Sequence, residues 1–178
     1  MFGLKRKTPP VIDAAERLHA WAVAHSRAEE LYRQCGAPDT VEGRFEMLTL
    51  HVLLLIDRLK GDDPALRDLR QHLFDAFISQ LDGAMREMGV GDLVMGKRMR
   101  KLGEAFYGRA KAYDSAFGAL PDRAALEALV ARTVFSDTPS RPPADMADYV
   151  VAARVRLAGI PTEALMEGLV DVAEKAAP

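Results

Sequence analysis

The sequence has a single cysteine and no apolar run as long as a membrane-spanning helix requires. Cys35 alone can form no disulfide bond within the chain and cannot build a thiolate metal cluster, which is typical of proteins from a reducing compartment. The longest nearly apolar run, residues 47–56, is interrupted by Thr49 and His51 and has about half of the roughly 20 residues that cross a bilayer. These absences argue against a disulfide-stabilised secreted protein and against an integral membrane protein.

Neither sign of charge dominates, because 24 basic and 26 acidic residues leave a net charge of −2. Such a chain is not held to nucleic acid by its overall field, so no specific DNA partner is expected, and only a local patch can attract polyanions. Apolar residues make up 49% and charged residues 28% of the 178 residues, which is typical of one globular domain with one substantial core. No secretory signal follows the N-terminus, so we expect a cytoplasmic, bacterial protein.

The first nine residues are expected to form a flexible basic tail in front of one all-α domain, residues 10–178. This tail carries Phe2 and Leu4 beside three basic residues. It either stays solvated or makes a weak peripheral contact with an anionic membrane surface. The pattern favours the solvated tail.

Residues 39–60 form the segment around which the rest of the chain is expected to pack. Either Asp39 or Thr40 caps this helix, and Glu42 would complete a capping box if Asp39 were the cap. Apolar residues then cover the second half of the helix nearly all round. Such a helix is buried by several neighbours, so we predict a long, central, buried helix.

Apolar residues at spacings of three and four predict further helices on both sides of this one. They cover residues 11–34, 64–88, 93–117, 123–135, 144–158 and 162–175. The first of them is either one helix or two that meet near His25. Residues 136–143 form a loop, and the two helices after it are expected to pack peripherally because they hold few large apolar residues. The predicted fold is an all-α, single-domain bundle of about seven helices.

Little in the sequence points to catalysis or to a metal. Glu16 and His19 match one E-x-x-H pair of a di-iron bundle, but no second pair exists. Cys35 lies in a helix-ending turn with no base in a local motif, and no nucleophile elbow or phosphate-binding loop occurs. We therefore expect a protein that is not an enzyme, with no catalytic residue, cofactor or metal.

Histidine 51 is the polar residue at the centre of the apolar helix. Arg44 and Arg58 lie seven residues before and after it, so the three could form a polar stripe that meets a partner or a buried acid of this chain. The alternative is a core histidine that hydrogen-bonds to a neighbouring helix, and this interpretation is favoured.

A second candidate surface surrounds the turn at residues 89–91. The densest basic cluster of the chain follows it, and consists of Lys97, Arg98, Arg100 and Lys101. This cluster could bind ribosomal RNA, an acidic protein or anionic lipid, or it could be a solvated helix face. Methionines bracket the same turn, namely Met85, Met88, Met95 and Met99. Methionine recurs on adaptable binding surfaces and also fills cores, and the core interpretation is favoured.

Small residues recur every seven positions in the same helix, at Gly96, Gly103 and Ala110. Such a stripe permits another helix to approach closely, which is the favoured interpretation. The alternative is that the stripe lines a cavity.

Two stretches resemble the ubiquinol–cytochrome c chaperone family. The first is PDTVEGRFEM at residues 38–47, which is followed by Leu50-His51-Val52 and Arg58. The second is REMGVGD at residues 86–92, which continues through GKRM at 96–99, FYGR at 106–109 and AYD at 112–114. The resemblance covers residues 38–117 and is to the short bacterial members.

This resemblance implies a non-enzymatic assembly factor for the cytochrome bc1 complex, respiratory complex III. It implies that the protein binds newly made cytochrome b, or assembly intermediates of the complex, at the inner face of the bacterial inner membrane. A ribosome contact is implied by the mitochondrial members. The expected contact residues are Met88, Met95 and the basic cluster, with the stripe of Arg44, His51 and Arg58 as the second candidate. The alternative is a carrier of a quinone or lipid with an apolar pocket between helices, which a solid core around Phe77, Leu102 and Phe106 would contradict.

Overall fold

The computed structural model describes residues 9–136 and 139–170, and within these ranges it contains eight α-helices and no β-strand. The helices are α1 (Pro10–His25), α2 (Glu29–Arg33), α3 (Val41–Arg58), α4 (Pro64–Glu87), α5 (Asp92–Gly118), α6 (Ala124–Thr133), α7 (Pro143–Ala158) and α8 (Thr162–Met166). The all-α prediction is confirmed. The segment of residues 11–34 is two helices. The last helix, predicted over residues 162–175, is shorter than expected, because α8 ends at Met166 and residues 167–170 are not helical. The tail before Pro9 and residues 171–175 lie outside the described residues.

Helix α3 is the centre of the bundle. All nine residues from Met47 to Leu55 are buried, and α1, α4, α5 and α7 pack against it. Each fully buried leucine contributes about 1.5–3 kcal/mol relative to an exposed one. The prediction of a central helix that is apolar nearly all round is therefore confirmed.

The start of α3 depends on close backbone packing. The Oγ1 atom of Thr40 accepts a hydrogen bond from the N–H of Gly43 at 3.1 Å, so Thr40 is the cap and the capping box from Asp39 does not form. A Cβ atom added to Gly43 would lie 2.0 Å from the carbonyl oxygen of Pro38. The glycine is thus required because the preceding chain folds back onto the first turn of the helix.

Helix α7 is part of the core. Its buried residues are Met146, Ala147, Val150, Ala153 and Leu157, and it packs against α3 and α6. The expectation that the C-terminal pair packs peripherally is wrong for this helix. Its alanines allow its backbone to approach α3 closely, so the small number of large apolar side chains does not exclude burial.

The first part of α5 projects away from the core together with the end of α4. Met95 is the one buried residue among the first thirteen residues of α5, and Gly89 ends α4 with a φ of 81°. A Cβ atom at Gly96 or Gly103 would meet nothing within 4 Å. The prediction that another helix packs closely against these two glycines is therefore wrong. We call residues 88–101 the hairpin tip.

Within the described ranges, no helix combines the length and apolarity that crossing a membrane would require.

We predict that Gly43→Ala lowers the free energy of unfolding by about 2–4 kcal/mol, because the new methyl group displaces the backbone at Pro38. Urea unfolding followed by circular dichroism measures this change. The matched control is Gly83→Ala in α4, where a Cβ atom meets nothing within 4 Å and alanine should stabilise the helix by up to about 1 kcal/mol. Equal stability of Gly43→Ala and the unsubstituted protein would contradict the close approach.

Candidate binding surfaces

An open apolar groove lies between α1–α2, the first half of α3, the second half of α4, and α5. Its volume is about 390 Å³. The apolar side chains that line it are Val23, Val41, Phe45, Leu48, Leu81, Ala84, Met85, Met88 and Leu102. Val41 and Met88 are 69% and 64% exposed. These two side chains leave apolar area in water at the groove, which is where a partner would gain most from covering it.

Polar groups are few but well placed along this groove. Arg44 at the rim donates from Nε to Asp39 Oδ1 at 2.7 Å, and both side chains are exposed. Arg27 also lines the groove. The Oε1 atom of Gln80 is buried and has no hydrogen-bond partner within the described chain. A buried carbonyl oxygen without a donor costs free energy in the folded protein, and because this oxygen is buried it does not face a partner in the groove.

A charged pair beside the groove joins α3 to α5. Arg109 donates from Nε to Glu46 Oε2 at 2.7 Å, and its second nitrogen contacts the other carboxylate oxygen. The Glu46 side chain is only 11% exposed. Burial raises the pKa of this carboxyl, while the guanidinium of Arg109 opposes that shift. The guanidinium also lies 6.0 Å from the ring centroid of Phe45, so the pair holds a lining side chain in place.

The hairpin tip carries the predicted basic cluster. Lys97, Arg98, Arg100 and Lys101 are all exposed. None of the four has an ion-pair partner in the described part of the chain, whereas Arg86 bridges Asp82 at 2.6 Å and Asp92 at 2.7 Å. The cluster is therefore a local positive surface on a chain whose net charge is −2.

Comparison with known proteins decides the family. A sequence model described as ubiquinol-cytochrome C chaperone matches residues 33–172. This protein belongs to the ubiquinol–cytochrome c chaperone family. The resemblance of residues 38–117 to that family is thereby confirmed.

Relatives and a solved structure agree with this assignment. Ubiquinol-cytochrome-c reductase complex assembly factor 1 of Xenopus laevis is 24% identical over 123 residues, which is 69% of this chain and 60% of that protein. The mouse protein of the same name is 28% identical over 69% of this chain, and the match spans 41% of its length. The crystal structure of the Cbp3 homolog from Brucella abortus has a TM-score of 0.79 and 38% identity, covering 89% of this chain and 88% of that one.

The two stretches typical of the chaperone family meet in the structure. Glu46 belongs to the first stretch and Arg109 to the second, and they form the charged pair beside the groove. Gly43, also in the first stretch, makes the close approach to Pro38. Sequence reasoning did not assign Glu46 or Arg109 a role. No signal in the sequence marked this pair, because Glu46 has Glu42 and Arg44 close by on its own helix and precedes the apolar run of residues 47–56.

His51 is a core residue of this chaperone fold. It is fully buried, its Nδ1–H donates to the Met47 carbonyl at 2.7 Å, and its Nε2 accepts from the Tyr149 hydroxyl at 2.7 Å. Burial lowers its pKa to about 4, so it is neutral near pH 7. Trp21 lies 6.1 Å from it between ring centroids and stacks on His25. His51 therefore cannot contact a partner directly, and the core interpretation is correct.

The other predicted contact residues are also of two kinds, those that hold the fold together and those that are exposed at the surface. Arg58 donates from Nε to the Leu157 carbonyl at 2.9 Å and also contacts Ile160, so it holds the end of α7 rather than a partner. The stripe of Arg44, His51 and Arg58 is thus not one surface, since only Arg44 reaches the groove. Met95 is buried and Met88 is exposed, so the expectation that Met95 contacts a partner is wrong.

No arrangement for metal binding occurs among the residues that the structure describes, where no three histidine, cysteine or acidic side chains converge. The Cys35 thiol is buried, and burial raises its pKa. A protonated, buried thiol is a poor nucleophile.

We predict that stability falls as the pH falls from about 6.5 to about 4, because of His51. Its pKa of about 4 in the folded state lies below the unfolded value of 6.5, so the unfolded state binds more protons in this window. The loss is at most about 3 kcal/mol. Urea unfolding at several pH values measures it, and the His51→Leu variant should lack this part of the slope. An unchanged slope in that variant would contradict the assignment.

The hydroxyl of Tyr149 should also stabilise the folded protein, because it donates a hydrogen bond to the buried His51. Tyr149→Phe leaves Nε2 of the buried His51 without a donor, so we expect a loss of about 1–3 kcal/mol in the free energy of unfolding. The control is Tyr107→Phe on α5, because Tyr107 is 61% exposed and its change should stay within about 0.5 kcal/mol.

Breaking the charged pair should also be costly. We expect Arg109→Leu to lower the free energy of unfolding by about 3 kcal/mol, since Glu46 is left buried without its cation. Replacing both residues by leucine should restore much of the loss. Thermal and urea unfolding measure both variants against Arg33→Ala, which removes an exposed pair with Glu29 and should cost less than about 1 kcal/mol. A double variant as unstable as Arg109→Leu would contradict this account.

Proposed function

We propose that this protein is a non-enzymatic chaperone for assembly of the ubiquinol–cytochrome c reductase complex and that it binds newly made cytochrome b. Family membership supports the assembly role. The chain spans 60% and 41% of the Xenopus and mouse assembly factors that it resembles, so the role of those longer proteins is transferred here as a proposal. The observation that carries the binding proposal is the open apolar groove.

The groove suits a client whose side chains are apolar. Cytochrome b is a membrane protein, and its unassembled apolar segments expose surface that water disfavours. A cleft of about 390 Å³ holds several side chains from one face of a helix rather than a whole helix. Met85 and Met88 line it, and flexible thioether side chains adapt to clients of varied shape.

The residues expected to contact the client follow from the groove. Val41, Ala84 and Met88 lie on its open side, and Arg44 is at its rim. His51, Arg58 and Met95 act from inside the fold by holding the helices that form it. The proposed place of action is the inner face of the bacterial inner membrane, where newly made cytochrome b enters the bilayer. A ribosome contact is also part of the proposal.

We predict that Ala84→Trp blocks client binding, because Ala84 is exposed and lines the groove, so a large ring there occupies the cleft without entering the core. In a strain that lacks the gene, this variant should recover at least about tenfold less co-purifying cytochrome b than the unsubstituted protein, which corresponds to about 1.4 kcal/mol. Co-purification and the haem b spectrum of the membranes are the two measurements.

The matched control is Ala152→Trp, which adds the same ring at an exposed position of α7. It should support normal cytochrome b recovery. Normal complex III in the strain without the gene would overturn the assembly role. Full recovery with Ala84→Trp would leave that role standing and remove the groove from it.

A carrier of a quinone or lipid is the second candidate, because the same groove has the volume of a small-molecule site. Phe77 and Phe106 are 0% and 2% exposed, whereas Leu102 lines the groove, so the solid core predicted around these three residues is present at the two phenylalanines only. The groove is open to solvent, which favours a client at the surface over an enclosed ligand. Mass spectrometry of organic extracts from the purified protein distinguishes the two. One equivalent of a quinone or lipid, lost in Ala84→Trp, would support the carrier.

A further inference from the structure

The hairpin tip presents large aliphatic side chains to solvent. Leu93 is 101% exposed, Met88 64% and Val94 47%, and all three lie within seven residues of each other around the turn between α4 and α5. A Cβ atom at Gly89, and likewise at Gly91, would meet nothing within 4 Å. The space on the Cβ side of these two backbone positions is therefore open, and the aliphatic side chains lie on an exposed turn.

The basic cluster follows this aliphatic surface on the same helix. Lys97 is four residues after Leu93, and Arg100 and Lys101 are seven and eight residues after it, so all three lie on the side of α5 that carries Leu93. Arg98 extends the positive surface next to them. The acid nearest to Leu93, Asp92, is held by Arg86 at 2.7 Å. Glu87 and Glu104 are exposed acids at the two ends of this surface, which leaves the positive charge concentrated between them.

Aliphatic tips next to cations are typical of segments that lie in the interface of a bilayer. The aliphatic groups enter the boundary between headgroups and acyl chains, and the cations contact anionic headgroups. Single-stranded RNA binds where aromatic side chains offer stacking surfaces. The tip has none, because its nearest exposed aromatic, Tyr107, lies more than one helical turn beyond Lys101. An acidic protein would use the cations but gives no account of the fully exposed Leu93.

We propose that the hairpin tip binds the surface of an anionic phospholipid bilayer, with Leu93, Val94 and Met88 in the headgroup boundary and the four cations on the headgroups. Met88 belongs both to the tip and to the groove, so this contact sets the open edge of the groove next to the membrane. The binding needs no client, and its test is independent of the assembly role.

Co-sedimentation with vesicles tests the proposal on the full-length protein. Vesicles of equal parts phosphatidylcholine and phosphatidylglycerol should bind the protein, and vesicles of phosphatidylcholine alone should not. Reversal of Lys97, Arg98, Arg100 and Lys101 to glutamate should weaken binding by about 600-fold or more at low ionic strength, since each cation near the surface contributes about fivefold. Raising the salt concentration should have a similar effect on the unsubstituted protein.

The matched controls change charge and apolarity elsewhere. Reversal of four other exposed basic residues, Arg67, Lys111, Arg132 and Arg141, alters net charge equally and should leave most of the binding. Leu93→Ser with Val94→Ser should weaken binding several-fold without any change of charge. Val155→Ser, at a position that is 66% exposed on α7, should leave vesicle binding unchanged. Circular dichroism checks that each variant is folded.

A reporter at the tip locates the contact directly. In Leu93→Trp the added fluorescence, after subtraction of the single native Trp21, should shift to shorter wavelength on addition of anionic vesicles. The proposal is overturned if the protein does not bind anionic vesicles, or if the tip and control variants bind equally. It is also overturned if the tip variants lose binding to ribosomes or RNA while the unsubstituted protein ignores vesicles.

Discussion

Burial of α3 on every side is the constraint on which the rest of this structure depends. A helix with nine consecutive buried residues must be surrounded, and four other helices pack against it. A charged or strongly polar group on such a helix needs a partner, because an unpaired one in a dry core costs more than the hydrogen bond gains, and the buried Thr49 hydroxyl is the exception, with no hydrogen-bond partner among the described residues. The positions of the surrounding helices are therefore linked to the few polar residues of α3.

Those residues connect α3 to different neighbours. Glu46 pairs with Arg109 of α5, His51 with Tyr149 of α7, and Arg58 reaches the carbonyl groups at the end of α7. Asp57, which is 11% exposed, receives Arg154 of α7 at 2.7 Å. Hydrophobic packing alone tolerates sliding and rotation of helices, whereas these directional contacts are satisfied in one arrangement. The polar residues thus specify how the bundle is assembled.

The hairpin tip arises where the two long helices, α4 and α5, pass beyond α3. At 1.5 Å per residue, α4 with 24 residues and α5 with 27 residues are about 36 and 40 Å long, while α3 with 18 residues is about 27 Å. The core formed on α3 cannot cover their far ends. The hairpin tip is this uncovered end, whereas the groove lies against the first half of α3, with Phe45 and Leu48 among its lining residues. The hairpin tip therefore presents flexible methionine and leucine side chains to solvent, while the core holds the rest of α4 and α5.

The sequence by itself determined the helices, the central position of α3 and the family. Apolar spacing and the stops at Gly36, Gly61 and Gly89 are local signals, and local signals suffice for helix boundaries. It also indicated that His51 belongs to the core. Only the tertiary structure decided which residues face one another: Tyr149 is 98 residues from His51, and Arg109 is 63 from Glu46. Periodicity shows which face of a helix is apolar but not what covers that face. For this reason the sequence wrongly predicted that α7 packs at the periphery and that another helix packs against Gly96 and Gly103.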